Sequence, residues 1–194
     1  MNKMEFLQGF LRSPREVGSI IPSSKFLVQK IIDCVEKEKP KTCVELGAGT
    51  GVFTRELTKV LQNGTFVVFE KDDQLREQLN KDFPHLPIHV DAMFLPDILD
   101  DMGIDQVDCI VCGLPFTLFP KEKTEQIFHH IHTRLKDDGM FMMYQYSTHM
   151  KNRLKQLFGD VSIEFVAFNI PPAFVYFCKK KINKRSAFDS AKTP

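Results

Sequence analysis

The chain has 194 residues, 43% of them hydrophobic, and its 26 basic and 25 acidic side chains leave a formal charge of +1. That length supports one domain with a sizeable core, and near neutrality excludes a general electrostatic pull toward nucleic acid. No apolar run reaches the roughly 20 residues of a bilayer span, no leader peptide is legible at the N-terminus, and five scattered cysteines suit a reducing cytosol.

In chain order, "MEFLQGFLR" sets Met4, Phe6, Leu7, Phe10 and Leu11 on one side of a helix over 4–12, with Glu5, Gln8 and Arg12 opposite. "SPREVGSIIPSS" breaks it at Pro14, Gly18 and Pro22, and Ser23 or Ser24 can cap a second helix over about 24–37. Beyond Lys39-Pro40, strands are expected at 42–46, 65–70, 86–90, 107–112 and 139–145, with helices near 52–62, 72–82 and 121–136. Alternation of this kind, with nearly all-apolar strands, predicts an α/β fold whose parallel sheet is covered on both faces.

A helix near 148–158 precedes "VSIEFVAF" and "AFVYFCKK", whose short link makes them an antiparallel hairpin at the end of the sheet. Cys109 and Cys112 form C-x-x-C inside a strand, where residues three apart face opposite ways. Buried thiols are expected there rather than redox or metal chemistry. His129, His130 and His132 lack accompanying ligands at zinc spacing, so no metal is expected. The chain divides into an N-terminal helical segment (1–38), one α/β domain (39–181) and a basic tail (182–194) expected to be disordered.

"VELGAGTGVFTREL" is a strand, a glycine turn and a helix in succession, with Gly47, Gly49 and Gly51 spaced as G-x-G-x-G. A dinucleotide fingerprint needs its third small residue one position later, where Val52 stands. Glycines here let backbone approach a ligand without a Cβ, next to the free amides of a helix N-terminus. Glu70 closes the second strand and can accept both hydroxyl protons of a ribose; Asp91 closes the third and can accept from an adenine amine. Either acid alone could instead cap the following helix. With Glu45 and the glycines at successive carboxyl ends of strands, the set points to a nucleoside site.

Over 42–145 these features resemble a class I S-adenosylmethionine-dependent methyltransferase. The resemblance implies a Rossmann-like, seven-stranded, mostly parallel sheet ordered 3-2-1-4-5-7-6, with strand seven antiparallel. It also implies that Gly47, Ala48, Gly49 and Gly51 line the methionine moiety of S-adenosylmethionine and that Glu45 helps hold its amino group. Glu70, with Lys71 beside it, would bind the ribose; Asp91 and the Ala92 amide would hold the adenine; Ser19 would cover the cofactor. S-adenosylhomocysteine would be the product.

Enzymes that methylate exocyclic adenine amines carry Asn or Asp, an apolar residue or Pro, then Pro and an aromatic after strand four. Here the tetrapeptide is Gly113-Leu114-Pro115-Phe116, without the polar side chain. A planar base amine is a poor nucleophile and needs that side chain to orient it. An aliphatic amine needs desolvation, a carbonyl acceptor and aromatic faces, and glycine is expected to leave room for its head group.

"FLRSPREVGSIIPSS", "CGLPF" and "NIPPAFVY" together resemble bacterial phospholipid N-methyltransferases, related to rRNA adenine dimethyltransferases. This resemblance implies methylation of phosphatidylethanolamine at a membrane surface. Gly113, Leu114, Pro115, Phe116 and Tyr146 would form the acceptor site, the two rings facing a methylated ammonium. The alternatives are an rRNA adenine N6-methyltransferase, disfavoured by Gly113 and the charge balance, a methyltransferase for a soluble amine, or a cofactor-binding protein without catalysis. The 4–12 helix could be a lid, a membrane contact or part of the core. Lys179, Lys180, Lys181, Lys184 and Arg185 could attract anionic lipid or form a solvated tail. A phospholipid head group and an anionic surface are the expected partners, in a cytoplasmic enzyme peripheral to the inner membrane face. The proton acceptor and the oligomeric state stay open.

Overall fold

The computed structural model describes residues 23–181. The 4–12 helix, Ser19, Lys184, Arg185 and the 182–194 tail lie outside them. Seven strands form one sheet: β1 (Thr42–Leu46), β2 (Thr65–Phe69), β3 (Ile88–His89), β4 (Val107–Cys112), β5 (Leu135–Gln145), β6 (Gly159–Val166) and β7 (Ala173–Lys180). Their order is β3-β2-β1-β4-β5-β7-β6, parallel except that β7 runs antiparallel to both its neighbours, as the resemblance implies.

Among the described residues six α-helices cover the sheet: α1 (Lys25–Glu38), α2 (Val52–Val60), α3 (Asp73–Asp82), α4 (Leu95–Asp101), α5 (Lys121–Arg134) and α6 (Lys151–Phe158). Ser24 caps α1 by accepting the Leu27 amide at 3.3 Å, and Lys39 ends it in the left-handed region at φ 50°.

Alternating residues of each strand feed two apolar layers. Val44, Leu46, Ile110, Cys112, Phe141 and Met143 belong to one layer. Cys43, Val68, Cys109, Val111 and Met142 belong to the other, where α1 packs Leu27, Ile31 and Val35. The period of two therefore separates Cys109 and Cys112 onto opposite faces. All five cysteines are free, and burial pushes the Cys112 thiol up to about 12. These are packing thiols.

Some elements differ from the sequence reading. Helix α4 is not among the helices expected from the sequence; its Pro96 sits in the first turn, where a missing N–H costs nothing. β3 shrinks to two residues beside Val68 and Phe69 at the sheet edge. β5 starts four residues early, running straight out of α5, with an irregular register against β4 between Val107 and Cys109. Among the described residues no helix is long and apolar enough to cross a membrane.

The parallel strands send their carboxyl ends to one edge, and the basic run of β7 lies at the other. Lys179 pairs across the sheet with Met140, midway along β5, and lies near Glu38 and Asp138. Lys180 is buried, its ammonium donating to the carbonyls of His132 (2.9 Å) and Leu135 (2.6 Å). Attraction of anionic lipid by these two lysines is therefore corrected. Lys180 satisfies the carbonyl end of α5, where a cation is favoured, and Lys179 is attended by Glu38 and Asp138. Replacing Lys180 with Met should leave both carbonyls without that donor and lower stability by about 1–3 kcal/mol, measured by urea unfolding.

Candidate active site

The turn after β1 is tied to the neighbouring strand, since the Gly47 and Ala48 amides both donate to the Phe69 carbonyl at 2.8 and 3.1 Å. Gly47, Gly49 and Gly51 all have positive φ, and each answers a different constraint. A Cβ at Gly47 would lie 3.0 Å from the Leu114 side chain, so this glycine lets β1 and β4 ends approach. At Gly51 it would lie 2.6 Å from Leu79, so this glycine seats α2 against α3. At Gly49 it would meet nothing within 4 Å, so only this glycine borders open space. A ligand can approach the backbone there.

Three acids surround this turn in three distinct environments. Glu70 is buried, accepting the Gly49 amide on one oxygen at 2.6 Å and the Asp72 amide on the other at 2.8 Å. No cation pairs with it among the described residues. A carboxylate has about four acceptor sites, so two remain for the paired hydroxyls of a ribose. Asp91 accepts the Met93 amide and the Lys71 ammonium, each at 3.0 Å, with Lys123 at 3.9 Å. Burial pushes its carboxyl up, but that amide and those ammoniums outweigh it, leaving it below the usual range. Lys71 is well exposed, so a ligand amine can displace it from Asp91 at little cost. Ala92 is buried and opens the short turn into α4.

Glu45 points to the layer opposite Leu46 and is buried, accepting one hydrogen bond from the Thr54 hydroxyl at 2.7 Å. Burial pushes its carboxyl up to about 8; the Thr54 bond opposes this and nearby Glu70 adds to it. A group this poorly solvated awaits a cation, and the ammonium of an amino acid supplies one. The donor set and the glycine cradle thus fit S-adenosylmethionine.

At the end of β4 the Gly113 amide donates to the Leu46 carbonyl at 2.8 Å. A Cβ at 113 would lie 2.5 Å from the Tyr144 hydroxyl and 2.9 Å from the Gly47 carbonyl. This corrects the expectation that glycine leaves space for a substrate head group: the space is filled by the protein's own tyrosine and backbone. Tyr144 stacks on Phe53 with ring centres 5.2 Å apart, and the neighbouring Ser23 side chain opposes the upward push on its phenol. Burial raises its phenol well above the ordinary range, so it stays protonated. Gln145, also buried, donates to the Leu114 carbonyl at 2.9 Å.

Phe116 is carried into the core, stacked on Phe128 at 4.6 Å and edge-on to Phe119 at 5.9 Å, and Pro115 turns the chain into that short helical turn. Tyr146 is half-buried beside the second apolar layer, and burial raises its phenol. The structure thus brings Gly113, Leu114 and Tyr144 to the glycine turn and holds Phe116 behind them. Thr54, Tyr144 and Gln145 are absent from the sequence reading. The one available signal was strand alternation in "MMYQYS", which puts Tyr144 and Tyr146 on one side.

Residues 12–159 match the family described as ribosomal RNA adenine dimethylase. An ornithine lipid N-methyltransferase of Singulisphaera acidiphila is 31% identical over 180 residues, 90% of this chain and 94% of that protein. Ribosomal RNA small subunit methyltransferase A of Dehalococcoides mccartyi is 26% identical over 147 residues, 73% of this chain but 48% of that protein. Among solved structures, the O-methyltransferase of Bacillus cereus in complex with SAH superposes with a TM-score of 0.67 over 93% of each chain. At 11% identity that likeness concerns the fold alone.

Two outcomes follow from the geometry. Because the folded carboxyl of Glu45 titrates near 8 and the unfolded one near its ordinary 4.5, the unfolded state binds fewer protons between those values. The ligand-free protein therefore loses stability as pH rises through that window, by up to a few kcal/mol as an order of magnitude. Glu45→Gln should flatten this dependence in melting curves from pH 5 to 9 while weakening S-adenosylmethionine binding in calorimetry. Gly113→Ala should lower methyl transfer about tenfold or more, because the Gly47 carbonyl cannot retreat as a flexible side chain could. Initial rates check it.

Proposed function

The chain belongs to the ribosomal RNA adenine dimethylase family and is an S-adenosylmethionine-dependent methyltransferase, and from that premise we propose that its acceptor is the aliphatic amine of a membrane lipid. Phosphatidylethanolamine is the specific candidate. An ornithine head group carries an aliphatic amine as well, and the likeness spans nearly all of the ornithine lipid enzyme but under half of the rRNA enzyme.

The single observation that carries the reading is the Gly113 corner. Glycine there has no amide or carboxylate to polarise a planar base amine, and the Tyr144 hydroxyl and Gly47 carbonyl fill the volume such a side chain would need. A saturated amine needs no such group. It needs to be neutral, desolvated and aimed.

S-adenosylmethionine, when bound, supplies a sulfonium methyl as the electrophile. The chain's part is positioning. Glu45 and Glu70 would hold the two ends of the cofactor's polar framework, and Asp91 its adenine amine. The Leu114 carbonyl accepts from the Gln145 side chain at 2.9 Å and from the Phe116 amide at 3.0 Å, which uses both its lone pairs and fixes the backbone of the corner. Tyr144, protonated, orients by hydrogen bonding and does not act as the base. An ammonium of pKa near 10 is neutral about one part in a thousand at pH 7, and the apolar surroundings of the corner favour the neutral form.

Incubation with methyl-labelled S-adenosylmethionine and separate pools of ethanolamine lipid, ornithine lipid, rRNA and soluble amines tests this. Label should enter a lipid pool. Label confined to rRNA or to soluble amines would overturn the reading, and label in ornithine lipid alone would replace phosphatidylethanolamine as the substrate.

A further inference from the structure

We infer that the tip of the β6–β7 hairpin and the start of α1 form a docking surface for an anionic bilayer, placed at the edge of the sheet that carries the active site. The inference rests on the lipid-amine reading above.

The turn between β6 and β7 inverts the usual arrangement of polar and apolar residues. Asn169 is 2% exposed, whereas its neighbours Phe168 and Ile170 are 74% and 72% exposed. Asn169 is held from both sides: its side-chain oxygen accepts the Ser24 amide at 2.9 Å, and its side-chain nitrogen donates to the Pro171 carbonyl at 2.7 Å. The buried amide fixes the turn and presents two large apolar groups outward. Phe26, 60% exposed at the start of α1, lies against Phe168 with ring centres 5.2 Å apart, and exposed Phe165 lies one strand position before the turn. Among the described residues, four of the seven large apolar side chains that stand out into solvent are gathered here, where scattered exposure would need no explanation.

The patch sits where lipid would have to arrive. Gln145, the last residue of β5, pairs with Phe174, and Val166 pairs with Ala173, so the turn lies at the carboxyl edge. Ser24, held by Asn169, directly follows Ser23, which neighbours Tyr144 beside Gly113.

Charge selects the occupant. Lys25, Lys121 and Lys151 are the first residues of α1, α5 and α6, three helices that begin on this edge. All three are exposed, and none pairs with an acid among the described residues. A cation at a helix N-terminus opposes the macrodipole, so stability does not account for three of them. An apolar tip with Lys25 beside Phe26, and Lys121 and Lys151 on the same edge of the sheet, matches the interfacial zone of an anionic membrane. A second copy docked face to face would bring the same cations together.

The chain has no tryptophan, so Phe168→Trp in the full-length protein introduces a sole tryptophan at the tip, excited selectively to the red of the tyrosines. Vesicles of phosphatidylcholine and phosphatidylglycerol, with brominated acyl chains, contain no acceptor amine and are read by fluorescence, independently of methyl transfer. The emission should shift to the blue and be quenched on vesicle addition, while a sole tryptophan introduced by Met102→Trp should not respond. The double variant Phe168→Ser/Ile170→Ser should lower vesicle partitioning about tenfold or more, with an unchanged melting temperature. Replacing Lys25, Lys121 and Lys151 with Gln should remove the preference for phosphatidylglycerol. Emission already blue and unresponsive, from burial against the chain's own residues or a second copy, would overturn the proposal. So would equal vesicle binding by the double variant.

Discussion

The carboxyl ends of β1 and β4 meet through two glycines with no side chain between them. The Gly113 amide bonds the Leu46 carbonyl, a Cβ on Gly47 would press on Leu114, and a Cβ on Gly113 would press on the Gly47 carbonyl. Most of the site depends on this approach. It sets the Gly49 backbone next to the proposed acceptor corner at Leu114, so that two bound groups could be brought into line. A strand end carrying a side chain at either position would separate them by at least a methyl group.

Electrostatics then give the three acids separate tasks. Two backbone amides neutralise part of the charge on Glu70, and two ammoniums attend Asp91, so both stay ready to accept. Glu45, with one hydroxyl for company, is pushed by burial toward its protonated form, a push that a bound cation would oppose. Charge on the ligand and charge on this carboxyl are thereby coupled, because burial penalises either one alone.

The distribution of basic residues shows how far position outweighs composition. The run at the end of β7 is the densest cationic stretch in the described chain, yet Lys180 serves the α5 carbonyls at the edge remote from the site. The exposed cations at the active edge are single lysines, far apart in sequence. Only the common starting edge of α1, α5 and α6 assembles them.

Local pattern was enough for much of this protein. Strand–helix alternation, the period-two burial that splits Cys109 from Cys112, and the glycines and acids at strand ends are all short-range features, each written within a few residues. Family likeness supplied the strand order, which periodicity alone does not contain. Tertiary structure decided what depends on approach between distant segments. It fills the volume over Gly113 with Tyr144, turns Phe116 inward onto Phe128, buries Lys180, and lets Asn169 hold Ser24 while Phe168 and Ile170 face out. The physical reason is the same each time: a side chain's chemistry is legible from its type, but its partner is set by packing across the sheet.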